Sequence, residues 1–248
     1  MLNKEENIEW VTDGEIGILK INNPPQNYLI NPEFINIETL QEKLAGDIKG
    51  LVISGNGRHF SAGADLENIF NKTEKPEELK LNLIKGNKLL NYIENLEIPV
   101  IATISGVCFG GGFEIALACH IRVCTETSLF AFPEINSDLI PGMGGLQRME
   151  KLTGKATTLE LAFSGDTINA SKAYDLKLVD YITEKNKALE FSVDLLKNII
   201  KDRPLKVINM IMKSINNSNK MDIEKAMEND AEMFCELAVE EAKRRNNR

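Results

Sequence analysis

The sequence predicts an α/β domain, and three observations predict it. Short β-rich runs alternate with segments of helical period, glycine clusters follow directly on those runs, and the last third turns helical throughout. Taken in order, Ile16, Ile18 and Ile21 lie in a strand that leads into the turn-rich NNPPQN of Asn22–Asn27. Gly50 to Ser54 (GLVIS) is a near-continuous apolar strand of the kind buried on both faces. Between about Leu81 and Asn95, the residues Leu83, Ile84, Leu89, Leu90 and Ile93 recur at helical spacing. Pro99 to Ser105 (PVIATIS) is a second buried strand, which runs through a glycine cluster into a helix over Phe113–Cys119. Ala188–Ile200, Pro204–Ile215 and Asp222–Arg245 are helical by period, with Ile223, Met227, Phe234 and Ala238 forming one stripe. Pro204 suits a helix's first turn and Asp222 an N-cap. The expected division is an α/β core over residues 1–185, carrying the site, and a helical region over residues 186–248 for packing or oligomer contacts.

Composition narrows the function classes. At 248 residues, folding hides roughly three quarters of the unfolded surface, so no disulfide or metal staple is needed. Lys and Arg number 29 against 37 Asp and Glu, and the formal charge of −8 argues against unaided binding to nucleic acid or an anionic membrane. Two histidines, His59 and His120, cannot supply a multi-histidine metal site, and the four cysteines form no CxxC pair. No metal is expected, and the thiols read as reduced small hydrophobes of a cytoplasmic protein. The opening MLNKEENIEW lacks the apolar core of a secretory peptide. Ile98–Cys119 is the least polar stretch, yet its charge-free run stops at Phe113 and holds Pro99 and four glycines. A membrane span needs about 20 apolar residues, so this is a buried core segment.

Three patches carry the chemistry: GNGRHFSAGADL (Gly55–Leu66), SGVCFGGGFEIALAC (Ser105–Cys119) and FAFPEINSDLIPGMGGLQR (Phe130–Arg148). The first two follow strands directly, and ligands of open α/β sheets bind at the carboxyl ends of strands. Phosphate loops do not account for them. The second patch reads GxxxGGG, missing the middle glycine of the dinucleotide fingerprint, and TGKATT at Thr153–Thr158 lacks the spacing of a P-loop. The carboxylates say more. From Ile98 to Arg148 only six residues are charged, and Glu114 and Glu134 both sit in apolar surroundings beside tight turns. A buried carboxylate costs several kcal/mol unless paired, bonded or protonated. From the residues alone, the two are either an acid/base pair, or a first-turn helix residue and a solvated loop carboxylate.

Together the three patches resemble the crotonase (enoyl-CoA hydratase/isomerase) superfamily, with weaker echoes in NPPQNYLIN and in FSGDTINASKAYDLKLVDYI, Phe163–Ile182. The resemblance covers nearly the whole chain. It implies a crotonase-like spiral of repeated ββα units with a C-terminal helical region. It implies an oxyanion hole made by the N–H groups of Ala64 and Gly111, and a catalytic pair in Glu114 and Glu134. Substrate and CoA contacts would come from Arg58, His59, Ala62, Gly63, Asp65, Leu66, Gly110, Pro133 and Gly142. The implied reaction is hydration of an enoyl-CoA, with the CoA thioester as substrate, no further cofactor, and a homotrimer or hexamer as the assembly. Alternatives are an enoyl-CoA isomerase, a dehydratase or decarboxylase acting on a carrier-protein thioester, and a non-catalytic assembly subunit. Isomerases of the family commonly lack the first glutamate, so the presence of both favours hydration. Two departures from the family pattern are His120, where many members have Asp, and an end at EEAKRRNNR without the usual glycine-containing segment. Tyr28 and Phe70 are further candidates for the acyl pocket.

Overall fold

The structure is a computed structural model, described here for residues 7–70, 75–218 and 220–246. Its main sheet has six strands: β1 (Ile8–Asp13), β2 (Ile16–Ile21), β3 (Gly50–Gly55), β4 (Val100–Ile104), β6 (Ile121–Thr125) and β9 (Tyr181–Thr183), adjacent in that order. β1 pairs antiparallel to β2, and every later pairing is parallel. A second sheet has the order β5 (Val107–Phe109), β7 (Leu129–Ala131), β8 (Ile168–Asn169).

The main sheet is covered on both sides, which explains why its strands read as unbroken apolar runs. Leu51 and Ile53 of β3, and Val100, Ala102 and Ile104 of β4, face one core. That core also takes residues from α1 (Ile37–Leu44), α3 (Pro76–Glu94), α4 (Gly111–Ala118) and α7 (Ala170–Asp175). Val52, Ile101 and Val123 face the other core, closed by Ala188, Val193, Leu196 and Ile200 of α8 (Ala188–Ile200) and Ile208 of α9 (Leu205–Asn217). A hydroxyl pair crosses that second interface, Thr103 Oγ1 donating to Ser192 Oγ at 2.6 Å.

The chain repeats one pattern: a long strand in the main sheet, a short excursion into the second sheet, then helix. β3 is followed by a bridge of Ser61 to Cys108 and then α2 (Leu66–Phe70) and α3. β4 leads to β5 and α4, and β6 leads to β7, a 3-10 turn at Pro133–Ser137, α5 (Gly145–Thr153) and α6 (Lys155–Ser164). This is the spiral of ββα units expected from the sequence. The TGKATT segment is the junction of α5 and α6, where Thr158 Oγ1 donates to the Gly154 carbonyl at 3.0 Å, as a helix end and not a phosphate cradle.

The final helix turns its predicted stripe away from the chain's own core. α10 (Ile223–Asn246) is capped by Asp222, whose Oδ1 accepts the Glu224 N–H at 2.9 Å. Its stripe of Ile223, Met227, Phe234 and Ala238 is exposed, while Ala226 is buried and Met233 and Leu237 are half-buried. The helix is apolar on two faces, and α9 has room for one.

Candidate active site

The loop after β3 is organised by Asn27. This residue is fully buried and left-handed, at φ 52°, a conformation asparagine tolerates better than most residues. Its Nδ2 donates to the carbonyls of Asn56 (3.0 Å) and His59 (2.7 Å), and its Oδ1 accepts the Asn23 N–H (3.0 Å). Its carbonyl accepts the Ser61 hydroxyl at 2.7 Å, and Ser61 Oγ in turn accepts the Gly63 N–H at 3.1 Å. The Ala62 N–H donates to Gln26 and the Leu29 N–H to Gly63, both at 2.9 Å. NPPQN therefore works as the outer wall of the first glycine patch.

The second patch meets the first main chain to main chain. Gly63 stands at φ +85°, and a Cβ there would lie 2.8 Å from the Phe109 carbonyl oxygen and 3.3 Å from the Gly111 nitrogen. Only glycine combines that backbone angle with so close an approach. Gly110, at φ +49°, donates to Ala131 and accepts the Glu114 N–H through its carbonyl, turning the chain from β5 into α4. Gly111 is the first residue of α4, where N–H groups have no intrahelical partner. Among the described residues, neither the Ala64 N–H nor the Gly111 N–H donates to a protein acceptor. Two free backbone donors on touching turns, one at the positive end of a helix, can polarise a carbonyl oxygen.

The two glutamates belong to this place and sit in unlike surroundings. Glu114, in the first turn of α4, is 2 % exposed. Its Oε1 accepts the N–H groups of Met143 (2.7 Å) and Gly145 (2.9 Å), and its Oε2 takes no protein donor among the described residues. Burial pushes its carboxyl above the usual range, while the Gly145 and Met143 N–H groups and the Arg148 guanidinium pull it down. Glu134 follows Pro133 in the 3-10 turn, and its Oε2 is buried without a hydrogen-bond partner. Burial, reinforced by the charge of Glu114 and opposed by its own backbone N–H, pushes its carboxyl up to about 7. Its Oε1 lies 2.7 Å from where a Cβ on Gly110 would stand. The same turn thus touches a free N–H and a carboxyl group that holds its proton near neutral pH. Burial raises both carboxyls, and three donors oppose it at Glu114, the Gly145 and Met143 N–H groups and the Arg148 guanidinium, against one at Glu134.

The remaining predicted residues fall around this centre with differing commitments. Arg58 is exposed beside it. The His59 ring is half-buried against Gly106, and its Nδ1 accepts the Val107 N–H at 3.0 Å, which places the ring proton on Nε2. Burial and the neighbouring Arg58 charge hold that imidazole below its usual pKa. Asp65 Oδ1 accepts the Glu67 N–H at 3.1 Å at the start of α2, and Leu66 begins that helix exposed. The Gly142 carbonyl accepts Asn87 Nδ2 at 3.0 Å. Tyr28 and Phe70 are both exposed. His120 has work elsewhere: its Nδ1 accepts the Val100 N–H (3.0 Å) and its Nε2 reaches the Glu94 carbonyl (3.2 Å), tying β4 to the end of α3.

Sequence reasoning passed over Asn27, Asn87 and the role of Arg148. Asn27 had a signal in its place between a proline turn and a strand end. Arg148 had a stronger one, as one of two cations in a 51-residue stretch with six charges. Among the described residues, no group of three His, Cys, Asp or Glu side chains could hold a metal ion, and no helix is long and apolar enough to cross a membrane.

Comparison with known proteins decides the family. The enoyl-CoA hydratase/isomerase family model matches residues 12–246. The chain belongs to the enoyl-CoA hydratase/isomerase family. Within that family, a probable enoyl-CoA hydratase of Bacillus subtilis (strain 168) is 37% identical over 191 residues, 73% of this chain and 74% of the relative. Among solved structures, an enoyl-CoA hydratase of Thermoplasma volcanium GSS1 is 28% identical with a TM-score of 0.80, covering 94% of this chain and 93% of its own. One from Polaromonas sp. JS666 is 25% identical with a TM-score of 0.85, covering 92% and 90%. The crotonase-like α/β fold is thus shared with the solved relatives matched.

Proposed function

We propose that this chain is an enoyl-CoA hydratase, a hydro-lyase that adds water reversibly and syn across the 2,3 double bond of an enoyl thioester. The observation that carries the reading is the asymmetry of the two glutamates beside two unbonded backbone N–H groups. The thioester oxygen sits between the Ala64 and Gly111 N–H groups. The free Oε2 of ionised Glu114 takes a proton from water as the water oxygen bonds to C3. The π electrons move towards the thioester oxygen, giving an enolate held by the two N–H groups. Protonated Glu134 then delivers its proton to C2, and proton exchange through solvent returns both carboxyls to their starting forms. Each oxyanion donor is worth about 100- to 1000-fold in rate, and general acid/base groups about 100- to 10,000-fold.

No cofactor enters this scheme, since the thioester itself is the electron sink. Arg58 and His59, with the Ala62–Leu66 turn, Gly110, Pro133 and Gly142, bound the space in which the acyl group and CoA would lie. In a chain of charge −8, polyanionic CoA is held by local groups of this kind, main-chain N–H included, and not by a global field. The assembly proposed is a homotrimer or hexamer, as the family resemblance implies, and the exposed apolar side chains of α10 accord with association. A cytoplasmic location accords with the reading.

The test is crotonyl-CoA hydration followed by loss of enoyl absorbance. Glu114→Gln and Glu134→Gln are each expected to reduce kcat about 100-fold or more. Full activity in either variant would remove the two-carboxylate mechanism. Migration of the double bond in a 3-enoyl-CoA without water uptake, undiminished in Glu114→Gln, would replace hydration by isomerisation.

A further inference from the structure

Glu114 owes its orientation to the irregular residues Gly142–Gly144 and to Gly145, where α5 begins. Such a segment supplies a fixed pair of donors only if something fixes it from behind. Arg148 does this. The side chain is 6 % exposed, and all three of its nitrogens are engaged. Nη1 donates to the Met143 carbonyl at 2.8 Å, Nε to Glu94 Oε2 at 2.9 Å, and Nη2 to Asn91 Oδ1 at 2.7 Å. The carbonyl it grips lies between the two N–H groups that bind Glu114, since Met143 N–H precedes it and Gly145 N–H follows it. Asn87, also from α3, holds the adjacent Gly142 carbonyl.

We propose that Arg148 is a positioning residue for Glu114: anchored by Glu94 and Asn91 of α3, it fixes the Met143 peptide, and through it the two N–H groups that aim the carboxylate. The role rests on the hydratase reading above. It joins α3, which carries none of the proposed catalytic groups, to the proposed general base. The cation also opposes desolvation of the buried carboxylate. Lysine could keep the charge but not the three-way planar fork, so charge and geometry can be separated by substitution.

The experiment measures kcat, KM and the pH profile of crotonyl-CoA hydration for Arg148→Met, Arg148→Lys and Glu94→Gln, each alone and combined with Glu114→Gln. Arg148→Met is expected to lower kcat about 30-fold or more with KM changed less than about threefold, and Arg148→Lys to recover part of that loss. The acid limb of the profile should move to higher pH in Arg148→Met. The groups facing Glu114 are Arg148 from α5 and Glu134 from the 3-10 turn, with Glu94 and Lys151 one ion pair beyond. In the Glu114→Gln background, Arg148→Met should change kcat less than about twofold, because its target is gone. Equal losses in both backgrounds, or a loss confined to KM, would overturn the proposal while leaving the hydratase reading intact. A fully active Glu114→Gln would instead overturn that reading. Should Arg148→Met fail to fold, Glu94→Gln carries the same comparison: a several-fold loss that vanishes in the Glu114→Gln background supports the role, and one that persists refutes it.

Discussion

Two glutamates of one chain, 20 residues apart, are both raised by burial but held differently: the Met143 and Gly145 N–H groups grip Glu114 Oε1, while Glu134 Oε2 is buried without a partner. The consequence for stability has a definite sign. Glu134 has a folded pKa of about 7 against an ordinary 4.5, so its contribution is complete below pH 4.5 and is lost as pH rises through 7. Glu134→Gln, which cannot ionise, escapes that loss. Urea unfolding at pH 5 and pH 8 should therefore show the variant and parent nearly equal at the lower pH. At pH 8 the variant should be more stable by roughly 1–3 kcal/mol. An equal difference at both pH values would mean that the carboxyl is not held protonated in the folded state. Activity and stability respond oppositely here, as expected where a site stores an unfavourable burial. The two carboxylates stood out in the sequence for their sparse surroundings, but the groups that hold them did not. Glu114 is held by the Met143 and Gly145 N–H groups, main-chain donors that no side-chain pattern reveals.

Local period placed several elements well and others not at all. GLVIS and PVIATIS became β3 and β4 because their apolar runs are long enough to mark strands covered on both faces. Residues Ala188–Ile200 fold as α8 at the expected limits. β5, β7 and β8, two or three residues each, carry no period that could be read and exist through their partners. Those short strands nevertheless set the site, since β5 delivers Gly110 and β7 holds its N–H. The contact of β5 with the first glycine turn gives a sharp expectation. Gly63→Ala must relieve a 2.8 Å approach to the Phe109 carbonyl and a φ of +85°, strain on the order of 1–3 kcal/mol. If the turn moves to relieve it, the Ala64 N–H moves too, and kcat should fall by about 100-fold. Asn36→Ala provides the comparison. It removes the N-cap of α1, whose Oδ1 accepts the Glu38 N–H at 2.9 Å, and should cost about 1 kcal/mol of stability with kcat unchanged. Loss of activity in both variants alike would mean that the turn contributes through stability alone.

At the scale of the molecule, Ile211 and Ile215 of α9, and Ile223, Met227, Phe234 and Val239 of α10, are large apolar side chains left exposed. A chain with a net charge of −8 stays dispersed with such side chains more readily when copies bury them against each other. Light scattering is expected to give a mass of three or six chains of 27.7 kDa, and Phe234→Glu to reduce it. A monomeric mass for the parent would dismiss the assembly. The sequence pointed to this helix and left open whether its stripe packs within the chain or between copies, because period alone does not say which of two apolar faces turns inward. A different consequence follows from the touching turns at Gly63 and Gly111. Their free donors are peptide groups, present whatever side chains positions 64 and 111 carry, so among replacements there only proline deletes one. At those two positions a donor survives a change of side chain, whereas the carboxyls at 114 and 134 can each be erased by one codon, and it is the neighbouring Gly63 that the donors cannot spare. Drift in the side chains at 64 and 111 would therefore leave the paired donors in place so long as the glycine between the turns is kept.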